Sequence, residues 1–308
     1  MIFLPQNSID SIPINFNEES LWILNLALAL VMFGISLEIS IGDFKALFKK
    51  PKAIFVGVLS QFFLLPLVTF ILVILIKPYP SIALGMFMVA ACPGGNISNF
   101  ITHIAKGNSA LSVCLTAIAT LLAIFMTPIN LEFWGSFYAP TAQILKEVAI
   151  EPMAMVQLVF MLLGVPLFLG MWVNYWKPRL AKSIARVLKI VSLLFFVVLI
   201  SIALYTNRII LVDYIWYVFW LVVIHNLIAF ISGFSLAKLV GLNTANTRTI
   251  TIETGIQNSG LGLLLIVTFF DGLGGMALLA AFWGIWHLVS GLLLASFWSS
   301  REIITKEI

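Results

Sequence analysis

Charged residues are scarce in this sequence of 308 residues, because Asp, Glu, Lys and Arg together make up 10% of it. Soluble domains contain about 25% of these residues, so the composition excludes an ordinary soluble protein. Hydrophobic residues make up 61% of the chain and the mean hydropathy is +1.10, which excludes intrinsic disorder. A membrane-spanning helix needs about 20 apolar residues. We therefore predict an all-α polytopic membrane protein.

Cysteine and histidine are also rare, and their positions exclude several kinds of site. Cys92 and Cys114 lie in apolar surroundings, so we expect no disulfide framework. None of the three histidines has a second His or Cys three or four residues further on, which disfavours a zinc-type site. The aspartates lie in loops or in the N-terminal tail, and no serine nucleophile is spaced with a base. We predict that the chain is not an enzyme.

The net charge of +4 arises from 17 basic and 13 acidic residues, and the basic ones fall between the apolar runs. The lipid bilayer is therefore the expected partner, and nucleic acid is not. If the N-terminus is outside, fourteen Lys and Arg residues face the inside and three face the outside. This bias follows the positive-inside rule. We predict a multi-pass protein of the cell membrane with the N-terminus outside and the C-terminus in the cytoplasm.

Nine apolar runs are long enough to be membrane spans. They lie at about 21–40, 53–76, 81–105, 108–130, 152–175, 185–206, 212–239, 247–270 and 275–298. These runs predict one membrane domain over 21–298, between an extracellular or periplasmic tail, 1–20, and a cytoplasmic tail, 299–308. The first tail has no Lys or Arg, so we expect no cleaved signal peptide. We expect one long loop, at 131–151.

The third and eighth runs contain residues that interrupt a straight helix. Residues 92–99 read CPGGNISN, and residues 253–260 read ETGIQNSG. Proline lacks the backbone N–H and glycine adopts non-helical dihedral angles, so both helices are predicted to be discontinuous. A simple kink is the alternative for either one alone. The two runs are predicted to cross the membrane in opposite directions, so that 21–130 and 185–298 form inverted repeats, a pattern typical of transporters.

Glu253 is the only acidic residue in the middle of a predicted span, which makes it a functional candidate. A protonated carboxyl with a structural role is the alternative. Hard cations prefer oxygen ligands, and the carbonyls of discontinuous helices coordinate sodium in transporters. Neutral oxygens are supplied in the same neighbourhood by Gln61, Ser98, Asn99, Ser112, Thr116 and Gln257. These residues predict a cation site around Glu253. His287, in the span after the eighth, is a further candidate.

The two interrupted motifs resemble the signature of the sodium/bile acid symporter family. The resemblance extends from about residue 25 to 298. Further motifs that match in order are KKPK at 49–52, KGN at 106–108, LSVCLT at 111–116, HN at 225–226 and WHLVSG at 286–291. The resemblance implies nine transmembrane helices arranged as a panel domain and a core domain, with two discontinuous helices crossing in the core. It also implies that the chain imports an organic anion by alternating access.

The resemblance implies coupling to two sodium ions, and the site residues carry over position by position. The first ion would bind Ser98, Asn99, Ser112, Thr116 and Glu253. The second would bind Gln61, Glu253, Gln257 and the backbone carbonyls of Thr254 and Ile256. The anion would bind near Asn96, Asn258 and His287. Two sodium ions, one carboxylate and a monoanion sum to zero, so the loaded core avoids a net buried charge.

The substrate is left open between bile acids or steroid conjugates and smaller carboxylates. Asn96 stands where some family members have Thr, and Leu288 follows the histidine where some have Asn, so the departures are on the substrate side. A proton-coupled exporter of organic anions or metalloids with the same fold is the alternative function, with Glu253 as proton carrier. A non-transporting sensor or scaffold is a third. The sequence predicts no oligomeric state.

Overall fold

The computed structural model describes residues 18–39, 51–149, 151–188 and 208–300, with the further positions 42, 190–191 and 194. All regular secondary structure in these ranges is helical, as the composition predicts. We number the helices α1 (Glu18–Ser36), α2 (Pro51–Ile76), α3 (Pro80–Ala91), α4 (Ile97–Ile104), α5 (Ser109–Phe137), α6 (Ala139–Val148), α7 (Pro152–Trp176), α8 (Arg208–Leu239), α9 (Thr244–Gly255), α10 (Ser259–Phe269) and α11 (Gly274–Ser299). Residues 178–188 are also helical.

Five stretches within these ranges are long and apolar enough to cross a bilayer: α2, α5, α7, the Ile215–Leu239 part of α8, and α11. Shorter apolar helices are α3, α10 and the Asn25–Ser36 part of α1. Each predicted run falls on a described helix or helix pair except the sixth, 185–206, most of which lies outside the described residues. The chain is a helical multi-pass membrane protein.

Residues 131–151, predicted as a loop, are largely helical, so that prediction is wrong. α5 continues to its end at Phe137, and α6 begins two residues later. Hydropathy averaged over a window misses α6 because its polar residues lower the average. Its apolar residues, Ile144 and Leu145, pack against the largest hydrophobic cluster. Gly135 admits this contact, because a β-carbon there would lie 2.8 Å from Cδ1 of Leu145.

Two helices widen into a π-helical turn ahead of a proline. α2 does so at Ser60–Leu64, before Pro66, and α7 does so at Phe160–Gly164, before Pro166. Proline removes the hydrogen bond to the carbonyl four residues earlier and clashes with it, so a wider turn relieves the clash. Such turns are frequent at functional sites, and the one in α2 carries Gln61.

α1 packs closely on α7 and on the helical residues 178–188. A β-carbon on Gly170 of α7 would lie 2.4 Å from Cβ of Ser36 in α1, so the absence of a side chain allows the approach. A β-carbon on Gly34 would likewise lie 2.9 Å from Cβ of Leu188. α1, α7 and residues 178–188 thus pack together around a separate small hydrophobic cluster.

α3 lies at the centre of the largest hydrophobic cluster, and all of its residues after Pro80 are buried. It crosses α11 closely, since a β-carbon on Gly85 would lie 2.9 Å from Cα of Met276. α9 rests on α8 in the same way, since a β-carbon on Gly255 would lie 2.2 Å from the ring of Phe230. This packing brings the C-terminal ends of α3 and α9 together.

Candidate functional site

Both predicted helix breaks are present, and they lie against each other. Five irregular residues separate α3 from α4, and three separate α9 from α10. The N–H of Gly95 donates to the carbonyl of Ile256 at 2.7 Å, and the N–H of Asn258 donates to that of Pro93 at 2.9 Å. This antiparallel pairing satisfies backbone groups of both segments, which irregular backbone within a membrane requires.

Side chains satisfy four more backbone carbonyls around the two breaks. The donor and acceptor residues are Thr127 to Ala91 (2.8 Å), Gln61 to Cys92 (2.8 Å), Gln257 to Thr254 (2.7 Å) and Asn226 to Gly255 (2.7 Å). Two of these donors belong to the breaks or to the predicted cation site, and two come from neighbouring helices. An unpaired buried carbonyl is costly, so these bonds stabilise the crossing.

Glu253, in the last turn of α9, accepts hydrogen bonds from three hydroxyl groups. Ser98 donates to Oε1 at 2.5 Å, Ser112 donates to the same oxygen, and Thr116 donates to Oε2 at 3.2 Å. Glu253 is 5% exposed and its three partners are buried. Its hydrogen bonds within the described part of the chain thus come from neutral groups, while the carboxylate is withdrawn from water.

Asn99 completes what we call the oxygen cluster: Ser98, Asn99, Ser112, Thr116 and Glu253. Its Oδ1 accepts from Ser112 at 2.8 Å and from Thr116 at 3.3 Å. A hydroxyl carries a single hydrogen, so neither can donate to Asn99 and to Glu253 at once. The cluster therefore has more oxygen acceptors in contact than hydrogens to share, an arrangement that suits a hard cation. All five residues predicted for the first sodium ion come together.

The starts of two helices bring the cluster to the end of α9. Ser98 and Asn99 lie in the first turn of α4, and Ser112 and Thr116 lie one turn apart near the start of α5. Thr102 of α4, which the sequence analysis did not suggest, places its hydroxyl 3.3 Å from that of Ser112.

A hydrogen bond connects the loop before α5 to α9. The N–H of Asn108 donates to the hydroxyl of Thr249 in α9 at 2.8 Å.

The residues predicted for the second sodium ion form a neighbouring group. Nε2 of Gln61 donates to Oε1 of Gln257 at 2.8 Å, and Nε2 of Gln257 lies 3.2 Å from Oε1 of Gln61. The carbonyl of Thr254 accepts from Gln257, whereas that of Ile256 accepts from the facing break. The structure thus joins the two glutamines and Thr254. The hydrogen bonds of Glu253 to described residues run to the oxygen cluster instead.

The three residues predicted to bind the anion lie in different elements. Asn96 precedes α4; its Nδ2 is 3.6 Å from Sδ of Met32, and its buried Oδ1 has no partner among the described residues. Asn258 caps α10 by accepting from the N–H of Leu261 at 3.1 Å. His287 of α11 is 5% exposed, and its Nδ1 also lacks a partner in the described ranges. No hydrogen bond between described residues joins the three.

Arg248 lies in the first half of α9, and its side chain is buried, at 6% exposed. Nη1 donates to the carbonyl of Ala105 at the end of α4, at 2.7 Å, and the guanidinium lies 5.7 Å from the ring centre of Trp298. A cation at the C-terminal end of a helix is favourable. The partners that bury Arg248 are distant from it in the sequence, so no local pattern indicates its burial.

Comparison with known proteins finds similarity to sodium-dependent transporters. A family model described as "Sodium Bile acid symporter family" matches residues 25–214. An uncharacterized sodium-dependent transporter of Bacillus subtilis is 34% identical over 279 residues, which cover 90% of this chain and 83% of that protein. The ileal sodium/bile acid cotransporter of Homo sapiens is 32% identical over 241 residues, covering 78% and 67%. A probable chloroplastic sodium/metabolite cotransporter of Arabidopsis thaliana is 30% identical over 275 residues, covering 89% and 66%.

Proposed function

This chain belongs to the sodium bile acid symporter family, and we propose that it imports an organic anion together with two sodium ions. Family membership makes it a sodium-dependent membrane transporter, and since the relatives are transporters, the prediction that it is not an enzyme is confirmed. In our proposal the protein lies in the cell membrane with its N-terminus outside and its C-terminus in the cytoplasm.

We propose nine spans in two inverted repeats, 21–130 and 185–298, within one transporter domain over 21–298. The order of the helices supports the repeats, because a long helix, a discontinuous helix and another long helix occur twice in the chain. The first set is α2, the α3–α4 pair and α5, and the second is α8, the α9–α10 pair and α11. The panel would comprise α1, α7 and the sixth span, and the core would comprise the two sets. Alternating access would follow from movement of the core against the panel.

The first proposed sodium ion binds the oxygen cluster, where Glu253 supplies the negative charge. Contacts between the oxygens outnumber the hydroxyl hydrogens, and a cation removes this shortage because each oxygen then offers a lone pair to it. Burial deprives the carboxylate of water, so a bound cation also compensates its charge.

The second proposed sodium ion binds Gln61, Glu253, Gln257 and the backbone carbonyls of Thr254 and Ile256. The amide N–H groups of both glutamines face acceptors, and one of them bonds to the Thr254 carbonyl. A half-turn of the Gln257 amide would direct its oxygen towards the ion and release that carbonyl. Sodium binding would thus reorganise the glutamine pair and the crossing.

The organic anion, bile acid-like or a smaller carboxylate, is proposed to bind near Asn96, Asn258 and His287. The two asparagines stand at the N-termini of α4 and α10, where N–H groups and the helix dipole favour a carboxylate. Oδ1 of Asn96 and Nδ1 of His287, which have no hydrogen-bond partner in the described ranges, are available to a ligand. Two sodium ions, Glu253 and a monoanion leave no net charge in the loaded site.

The convergence of three hydroxyls and Asn99 on buried Glu253 is the observation that carries this proposal. We would measure the melting temperature of the full-length protein in detergent while titrating NaCl, with KCl at equal ionic strength as reference. A ligand at 100 times its Kd stabilises a protein by about 2.7 kcal/mol, so NaCl should raise the melting temperature selectively.

Glu253→Gln should abolish the sodium-specific rise, because the carboxylate serves both proposed ions. Glu147→Gln is the matched control, since Glu147 is an exposed carboxylate on α6, and it should keep the full rise. A sodium-specific rise that persists unchanged in Glu253→Gln would contradict the proposed sites. Equal effects of NaCl and KCl on the unmodified protein would contradict sodium binding itself.

A further inference from the structure

Asn226 of α8 connects the break after α9 to α11. Its Nδ2 donates to the carbonyl of Gly255 at 2.7 Å, and its Oδ1 accepts from the hydroxyl of Ser290 at 2.6 Å. The other acceptor near that hydroxyl, the carbonyl of His287, is 3.3 Å away, so the hydrogen of Ser290 goes to Asn226. The asparagine is 1% exposed. The Ser290 hydroxyl therefore orients the Asn226 amide, and this amide binds the Gly255 carbonyl.

The same face of α8 also fixes Gly255 sterically. The ring of Phe230, one turn after Asn226, lies 2.2 Å from where a β-carbon on Gly255 would be. Ile256 follows with φ −104° and ψ 105°, which is extended backbone. In extended backbone, the carbonyl groups of successive residues point in opposite directions. With the Gly255 carbonyl directed to α8, the Ile256 carbonyl is directed to the facing break, where Gly95 donates to it at 2.7 Å.

We propose that Asn226 and Ser290 are positioning residues for the second sodium ion. They hold the backbone whose neighbouring carbonyls, those of Thr254 and Ile256, are its proposed ligands. This inference rests on the proposed function, because it assumes that sodium binds those carbonyls. Ser290 also lies three residues after His287 on α11, so the contact links the helix of the proposed anion site to the ion site.

The test is the NaCl concentration that gives half of the sodium-specific rise in melting temperature, measured on full-length variants in detergent. Asn226→Ala and Ser290→Ala should each raise it roughly three- to tenfold, the range expected when one buried hydrogen bond is lost. Ser290→Thr keeps the hydroxyl and should return it close to the unmodified value. Because the two residues act in series, the double variant should behave like Asn226→Ala alone.

Ser232→Ala is the matched control, since Ser232 is a buried hydroxyl of α8 that donates within its own helix, to Ala229 at 2.9 Å. A purely structural role would lower the melting temperature in KCl without changing the half-saturating NaCl concentration, and that result would overturn the proposal. Ser290 is half-buried, so Ser290→Ala carries the test if Asn226→Ala does not fold. If the unmodified protein shows no sodium-specific rise, the proposed function fails; if it does and Ser290→Ala matches Ser232→Ala, only this inference fails.

Discussion

Gly94 of the first break lies against Glu253, which is in the last turn of α9 just before the second break. A β-carbon on Gly94 would lie 3.1 Å from Oε2 of Glu253 and 3.3 Å from its carbonyl oxygen. Gly94 is not among the described glycines with a positive φ, so space and not backbone conformation requires glycine here. The missing side chain at residue 94 lets the carboxylate reach the hydroxyls of α4 and α5.

Gly94→Ala should therefore weaken sodium binding, because the new methyl group displaces the Glu253 carboxylate. We expect the half-saturating NaCl concentration to rise roughly tenfold, as when the support of a metal ligand is disturbed. Gly262→Ala is the control: its β-carbon would lie 3.4 Å from Sγ of Cys92, an ordinary contact. Equal sodium titrations of the two variants would show that the contact with Glu253 has no effect on binding.

Removing hydroxyl groups of the oxygen cluster should weaken sodium binding further. Ser112→Ala and Thr116→Val each delete an oxygen that contacts Glu253, and each should raise the half-saturating NaCl concentration by at least roughly tenfold. Thr120→Val, one turn later in α5, deletes a hydroxyl whose hydrogen bond among the described residues runs to a backbone carbonyl of its own helix. If Thr120→Val weakens binding as much as the other two, the oxygen cluster is not the site.

Arg248 should contribute to stability and not to sodium binding. Arg248→Ala removes the donor to the carbonyl of Ala105 and the contact with Trp298, and should cost about 1–3 kcal/mol. Arg248→Lys should recover part of this, since lysine keeps the charge but not the planar group. The melting temperature should fall equally in NaCl and KCl. The control Arg186→Ala, at an exposed position, should leave the melting temperature unchanged. An unchanged melting temperature for Arg248→Ala would contradict its role in stability.

Local chemistry was enough to predict the helix breaks and the position of one acidic residue, Glu253, within a span. Pro93 with its neighbouring glycines, and the glycines around residues 255–260, cannot continue a regular helix in either segment. The spacing of Ser112 and Thr116 places both hydroxyls on one helix face. Their convergence with α4 and α9 came from the family resemblance, because periodicity says nothing about which helices meet.

Contacts between distant parts of the chain were beyond sequence reasoning. The pairing of Asn226 with Ser290 and the burial of Arg248 depend on how α8, α9 and α11 pack, and no local pattern encodes either. α6 was missed for another reason, since a short amphipathic helix has a low average hydropathy and still buries one face.

The central claim, that Glu253 binds sodium, is tested most directly by equilibrium binding of radioactive sodium to the purified full-length protein. We expect saturable binding of two ions per chain, displaced by excess NaCl and not by excess KCl. Glu253→Gln should lose this binding, and Glu147→Gln should retain it. Undiminished binding by the Glu253→Gln protein would contradict a sodium site at Glu253.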